Sequence, residues 1–453
     1  MPQEKLLELI GSFNQTYVGP LLAILLLGTG LYYTVRLGFI QQFLWVALKR
    51  IFSRRDNTKA SRSQGMTSFQ ALSTSIASQV GTGNIVGVST ALIAGGPGAL
   101  FWLWISSMVG MSTNFAEAVL GQLYKTQKDG HAIGGPAYYI RNGVGSPFLA
   151  GVFAIFSVVA LGLMGTLVQS NSIVDAASSI LPQGVNKIYI GLGLSALVML
   201  VLAGGVTRIA SFAERVVPVM AGIFFLVSLV FIVLHAERLP QVVADVFAYA
   251  FTPWAPAGGV LGATVMSTIR YGVSRGLFSN EAGLGSTPHA HAIAQVKNPY
   301  DQGLVALTGI AVDIVVCTLT ALVVLLSGVI ETHPELQGVA IPQLAFSNTF
   351  GYGGTLFFAV ALLFFAFTTI IGWYFFAAQN VRYLFGERLI WPFRIVVGIM
   401  VVLAAVLQVN LVWELADTCN FFLVIPNLIA LIFLSPKVVE QARLLRRDVR
   451  GKR

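Results

Sequence analysis

The chain has 453 residues, of which 56% are hydrophobic and only 10% charged, against about 25% charged in an ordinary soluble domain. With repeated apolar runs about 20 residues long, this composition indicates an all-α polytopic membrane protein and excludes an outer-membrane barrel, which needs short alternating strands. The net charge of +9 sits between and after the apolar runs, where cytoplasmic loops collect Lys and Arg, so it speaks for topology and against nucleic acid as a partner.

In chain order the pattern predicts eleven transmembrane helices, at 18–38, 66–94, 97–123, 147–178, 187–205, 210–235, 258–294, 300–330, 353–378, 391–410 and 411–435. The N-terminus lacks a basic region ahead of a small-residue cleavage site, so the first span does not read as a removable signal. Residues 40–55 form a basic amphipathic stretch, with Phe43, Leu44, Ala47 and Ile51 beside Lys49, Arg50, Arg54 and Arg55; such a helix lies along the membrane surface. Placing residues 36–65 in the cytoplasm puts Lys125, Lys128, Arg141, Arg208, Arg215, Lys297, Arg382, Arg388, Arg394 and the tail from Lys437 inside as well. Lys5, Lys187 and Arg238 fall outside. This segregation supports the count of eleven, with the N-terminus outside and the C-terminus inside.

Eleven spans divide as one plus five plus five. The expected units are 1–65 (first span and surface helix), 66–240, 241–435 and a basic tail, 436–453. The second and seventh spans open the two five-helix halves, and both are interrupted. In the second, Gly81 and Gly83 stand among Ser78, Gln79, Thr82 and Asn84. In the seventh, Gly272, Gly276, Gly283 and Gly285 break the run. Lipid cannot pair free backbone groups, so a broken helix at membrane depth survives only inside protein or around a polar cavity. Two such helices at matching places in inverted halves point to a transporter binding site.

If the second span unwinds at residues 80–83, the segment beginning near Thr82 and Gly83 presents unpaired amides and the positive end of its dipole, which suit a carboxylate. The carbonyls of Ala77, Gln79 and Val80 lose their donors. Together with the Asn84 amide oxygen they suit a hard monovalent cation such as sodium. The alternative is that the glycines only permit close helix packing. Thr368 and Thr369 could add hydroxyl oxygens to the cation or bond their own helix. Trp373 could limit substrate size or simply pack. Gln169 could accept from a substrate ammonium, and its neighbours Asn171 and Ser172 could bond between helices. Arg275 and Glu281 could pair as a gate or lie at the cytoplasmic mouth. Glu117, Asp313, Glu414 and Asp417 are proton-relay candidates or bundle-packed carboxyls. His289 and His291 have no further ligand that would make a metal site, and Cys317 and Cys419 form no CxxC pair. No Walker A, HExxH or nucleophile-elbow motif is present, so neither ATP-driven transport nor an enzyme is indicated.

The run from Gly95 to Trp104, GGPGALFWLW, reaching Gly110, resembles the signature of the alanine or glycine:cation symporter family, with Leu103 where the signature has Met. The stretches GTGNIVGVSTALIAGGPGALFW and RGLFSNEAGLGS are similar to that family too. The resemblance implies secondary uptake of L-alanine, glycine or related amino acids, driven by sodium as coupling ion, in the plasma membrane of a prokaryote. It implies a leucine-transporter-type fold with five-helix inverted repeats, working as a monomer in the lipid bilayer. By that resemblance the Thr82 and Gly83 amides hold the substrate carboxylate, with Gln79, Gln169, Thr369 and Trp373 around it. Ala77 and Val80 carbonyls with Thr368 and Thr369 form one sodium site, and the Gln79 carbonyl with Asn84 supports a second. The alternative driving ion is the proton, and a passive channel stands further off.

Overall fold

The computed structural model describes residues 2–53, 65–128, 131–182, 184–254, 263–407 and 409–451. Helices dominate. Among the described residues six are long and apolar enough to cross a membrane, or seven when the pair Ser68–Gln79 and Gly83–Gly95, bent by 48° at the break between them, is taken as one span. A short antiparallel hairpin, Thr126–Lys128 with His131–Ile133, joins two helices and was not expected in an all-helical chain.

Several boundaries differ from the sequence reading for identifiable reasons. The first helix starts at Pro2 rather than near residue 18, and passes through a wide π turn at Asn14–Val18 into Gly19–Arg36. Pro20 lacks an N–H and would clash with the carbonyl four residues back; the widened turn just before it accommodates the ring. The surface helix covers Leu44–Ser53 after a 3-10 turn at Ile40–Phe43; Arg54 and Arg55 lie outside the described residues. It is not left to lipid alone, because Ala47 is fully buried and Arg50 pairs with both Asp301 and Asp448. The final helix does not stop at 435. It runs from Val409 to Gly451, and Arg446 donates to the carbonyls of Leu37 and Gly38. The expected basic tail is therefore a helical extension docked on the first helix and the surface helix.

The seventh span corrects one expectation more sharply. Gly272 and Gly276 do not break it; both lie inside the Val265–Asn280 helix. Thr268, Gly272 and Gly276 form a one-turn-spaced stripe, the first against Gly95 and the two glycines against Ala99–Leu123. A Cβ on Gly272 would stand 2.3 Å from the Ala99 carbonyl oxygen, and one on Gly276 would stand 2.3 Å from Ser106 Oγ. Small residues at this spacing let two membrane helices approach closely. The break comes at residues 281–287, where Glu281, Gly283 and Gly285 take positive φ (56°, 89° and 75°) before the short Pro288–Ala292 helix. The Ala99–Leu123 helix thus carries the N-terminal part of the seventh span on one side, and it packs most extensively against Pro299–Ser327.

Candidate functional site

The second span loses its coil where the glycines predicted. A capping box at Thr67 and Gln70 starts the first segment, and Val80 leaves helical geometry (φ −96°, ψ 93°). The second segment restarts at Gly83 as a π turn, with Thr82 as its N-cap. The amides freed here reach side chains. Gly81 N–H donates to Asn84 Oδ1 at 3.0 Å, and Thr82 N–H donates to Gln169 Oε1 at 3.1 Å. The Gly83 amide has no partner among the described residues. Gly81 also has to be glycine, since a Cβ would lie 2.4 Å from Thr369 Oγ1 and 3.0 Å from Gln169 Oε1.

Three carbonyls converge on one hydroxyl. Thr369 Oγ1 lies 2.9 Å from Ala77 O, 3.3 Å from Val80 O and 3.0 Å from Phe365 O. A hydroxyl has one hydrogen and Phe365 O already accepts from Thr368, so the Thr369 hydroxyl leaves at least one of the Ala77 and Val80 oxygens without its donation. Excess oxygen acceptors around a point at membrane depth fit a small hard cation. Thr368, expected beside Thr369, does not join them: its hydroxyl returns to Phe365 O at 2.9 Å and faces Met220. Adjacent helical residues point about 100° apart, so only one of the two can face the break.

A second group of oxygens lies on the other side of Asn84. Its amide nitrogen donates to Asp313 Oδ1 at 2.5 Å, and Ser279 Oγ donates to the same oxygen at 2.6 Å. Asp313 is fully buried and its Oδ2 has no hydrogen-bond partner among the described residues. The sequence left Asp313 among general proton candidates and Ser279 on the seventh span without a role. The available signal was the position of Asp313 near the middle of an apolar 29-residue helix, where an ionisable group is a site by default. Gln79 sits between the two broken spans with its side-chain amide on Asn280 O at 2.8 Å, so that side chain ties the second span to the seventh.

Trp373 stands against Gly165, where a Cβ would come within 2.3 Å of the indole. Its Nε1–H donates to Glu281 Oε1 at 2.5 Å, while Ser78 and Ser286 donate to the other carboxylate oxygen. Glu281 therefore fixes the indole and does not pair with Arg275, which stacks over Trp413 at 5.0 Å. Glu117 accepts from the amides of Gly283 (3.2 Å) and Gly285 (2.9 Å) and from Asn427 Nδ2 (2.6 Å). It fills the broken loop of the seventh span much as a bound anion would. His289 and His291 diverge: the first bonds Ser286 O and Asn380, the second Gln302.

Comparison with known proteins agrees with this architecture. A transporter from Haemophilus influenzae of uncharacterised role is 44% identical over 98% of this chain and 96% of its own length. The sodium/alanine symporter AgcS of Methanococcus maripaludis is 38% identical, with 96% of each chain covered. Among solved structures, MhsT in complex with L-phenylalanine superposes with a TM-score of 0.58, covering 85% of this chain and 99% of that one at 12% identity; this likeness concerns the leucine-transporter-type fold alone. The profile of the sodium:alanine symporter family matches residues 3–452, so the chain belongs to that family of membrane transporters and is not an enzyme.

Proposed function

We propose that this protein is a sodium-coupled symporter that imports small neutral amino acids, alanine and glycine, by alternating access. The observation that carries the reading is the meeting of Ala77 O, Val80 O and Thr369 Oγ1 at the break in the second span. A sodium ion taken there ties the second span to the ninth and orders the amides that follow. Thr368 is left out of this ligand set because its hydroxyl faces Met220 and Phe365 O and not Ala77 O or Val80 O. The substrate carboxylate takes the Thr82 and Gly83 amides. Gln169 Oε1, which now caps the Thr82 amide, gives way to it, so Gln169 answers the carboxylate position rather than the ammonium. Trp373, held by Glu281, closes the side-chain end and favours small residues.

The finer topology belongs to the same reading: eleven spans as one plus two inverted sets of five, in a bacterial inner membrane, with the N-terminus outside. Each ligand must bind the outward- and inward-facing states with different affinity for the cycle to turn. Asp313 supports a second reading of the driving ion. Its bare Oδ2 can take a second cation, with Asn84 and Ser279, or a proton. Uptake of labelled alanine into proteoliposomes decides between them. Sodium coupling predicts loss of accumulation when choline replaces sodium. Accumulation that survives choline and collapses with a protonophore would establish proton coupling instead.

A further inference from the structure

A pocket of about 120 Å³ lies between the first helix, the Val265–Asn280 helix and the final helix. None of Thr82, Gly83, Asn84, Gln169, Asp313 or Thr369 lines it. It runs along the first helix from Asn14 to Leu26, about 18 Å at the helical rise. One end is charged and the other apolar. Arg270 and Arg275 face it from the seventh span, with Glu414 and Asp417 on the final helix. Val18, Leu22, Leu26, Leu277 and Leu284 line the far end.

The charged end is incompletely paired. Glu414 accepts from Asn14 Nδ2 at 2.6 Å. Arg270 lies over the ring of Tyr271 and beside Gly19, and Arg275 lies over the rings of Phe278 and Trp413, within electrostatic reach of Asp417. Among the described residues neither guanidinium has a hydrogen-bond acceptor, and Asp417 has no donor. Half-buried charged groups whose hydrogen-bonding capacity is unused are unfavourable unless something polar meets them, and a guanidinium offers a planar fork suited to a carboxylate or phosphate. We propose that this pocket is a second ligand site, for a zwitterion with an apolar chain: its anionic group on Arg270 and Arg275, its ammonium at Asp417, and its chain along Leu22 and Leu26. A free amino acid with a larger apolar side chain and a phosphatidylethanolamine headgroup share this chemistry. Phe278 lines the pocket and also lies 3.7 Å from where a Gly83 Cβ would stand, so a bound ligand would press on the wall of the central site.

The test is calorimetric titration of the purified full chain in lipid-free detergent with choline in place of sodium, which keeps the central site weak. The probes are L-leucine, dihexanoylphosphatidylethanolamine, 4-methylpentanoate and 3-methylbutylamine. One zwitterion saturates, and the two singly charged analogues bind at least tenfold more weakly. Saturation by leucine assigns the amino acid as ligand; saturation by the short-chain lipid assigns the headgroup. Arg275→Gln and Asp417→Asn each weaken the binding at least tenfold. Ala23→Trp, which fills the apolar half and leaves the charges alone, removes it with the wild-type gel-filtration profile retained. The proposal is overturned if neither zwitterion saturates, if the singly charged analogues bind equally well, or if Ala23→Trp binds as the wild type does.

Discussion

Thr369 and Thr368 show how much one residue of register decides. Both could ligate a cation or bond their own helix, and the family resemblance implied the first; a helix turns one of each adjacent pair away, and Phe365 O takes the hydroxyl of Thr368. Removing the Thr369 hydroxyl strips the central oxygen from the Ala77–Val80 group. Thr369→Ala is expected to weaken the sodium affinity of uptake about tenfold, on the order of 1.4 kcal/mol, with little effect on folding. An unchanged half-saturating sodium concentration would remove the residue from the ion site. Asp313 belongs to the same scale. Asp313→Asn keeps the volume and loses the charge, so a bound cation loses its counter-charge and uptake falls tenfold or more while the thermal midpoint holds. Uptake at wild-type rates would make Asp313 a purely structural carboxyl. The sequence showed this residue but not its neighbours, because Asn84, Ser279 and Asp313 come from three different helices and only the packed bundle joins them.

At the scale of elements, the two broken helices were legible to different degrees. In the second span glycines and polar side chains coincide, and the break falls among them. In the seventh, four glycines gave a single signal for two different jobs. Gly272 and Gly276 are spaced to let a helix approach its neighbour, whereas Gly283 and Gly285 adopt positive φ in the break. Composition alone does not separate packing from unwinding; the spacing of four residues did carry that information. Gly272→Ala pushes a Cβ into the Ala99 carbonyl and is expected to cost about 1–3 kcal/mol, measured as a lowered thermal midpoint in detergent. A midpoint equal to wild type would deny the close approach. The broken loop is held by Glu117, whose two oxygens serve three N–H donors. Glu117→Gln exchanges one acceptor for a donor facing another donor, leaving a buried group unpaired at about 1–3 kcal/mol. The loop should loosen, and hydrogen exchange at Gly283 and Gly285 reports it; protection as strong as in the wild type would contradict that role.

For the molecule as a whole, composition and the spacing of apolar runs indicated a helical membrane protein, the two interrupted spans and the resemblance indicated a transporter, and the family match agrees. What they did not show was how its ends are used. The apolar run stops near 435, but the helix continues to Gly451 because charged residues support a coil outside the lipid as readily as apolar ones do within it. Arg446 and Asp448 then fasten it to the first helix and the surface helix. The account stands on peptide groups freed at residues 80–84 gripping ion and solute together. The most direct test is uptake of labelled L-alanine and glycine into proteoliposomes under an imposed inward sodium gradient, with choline as the control. We predict accumulation above the external concentration with sodium and none with choline, lost in Gly81→Ala, whose Cβ would crowd Thr369 and Gln169. Equal accumulation in both buffers, or an unimpaired Gly81→Ala carrier, would contradict it.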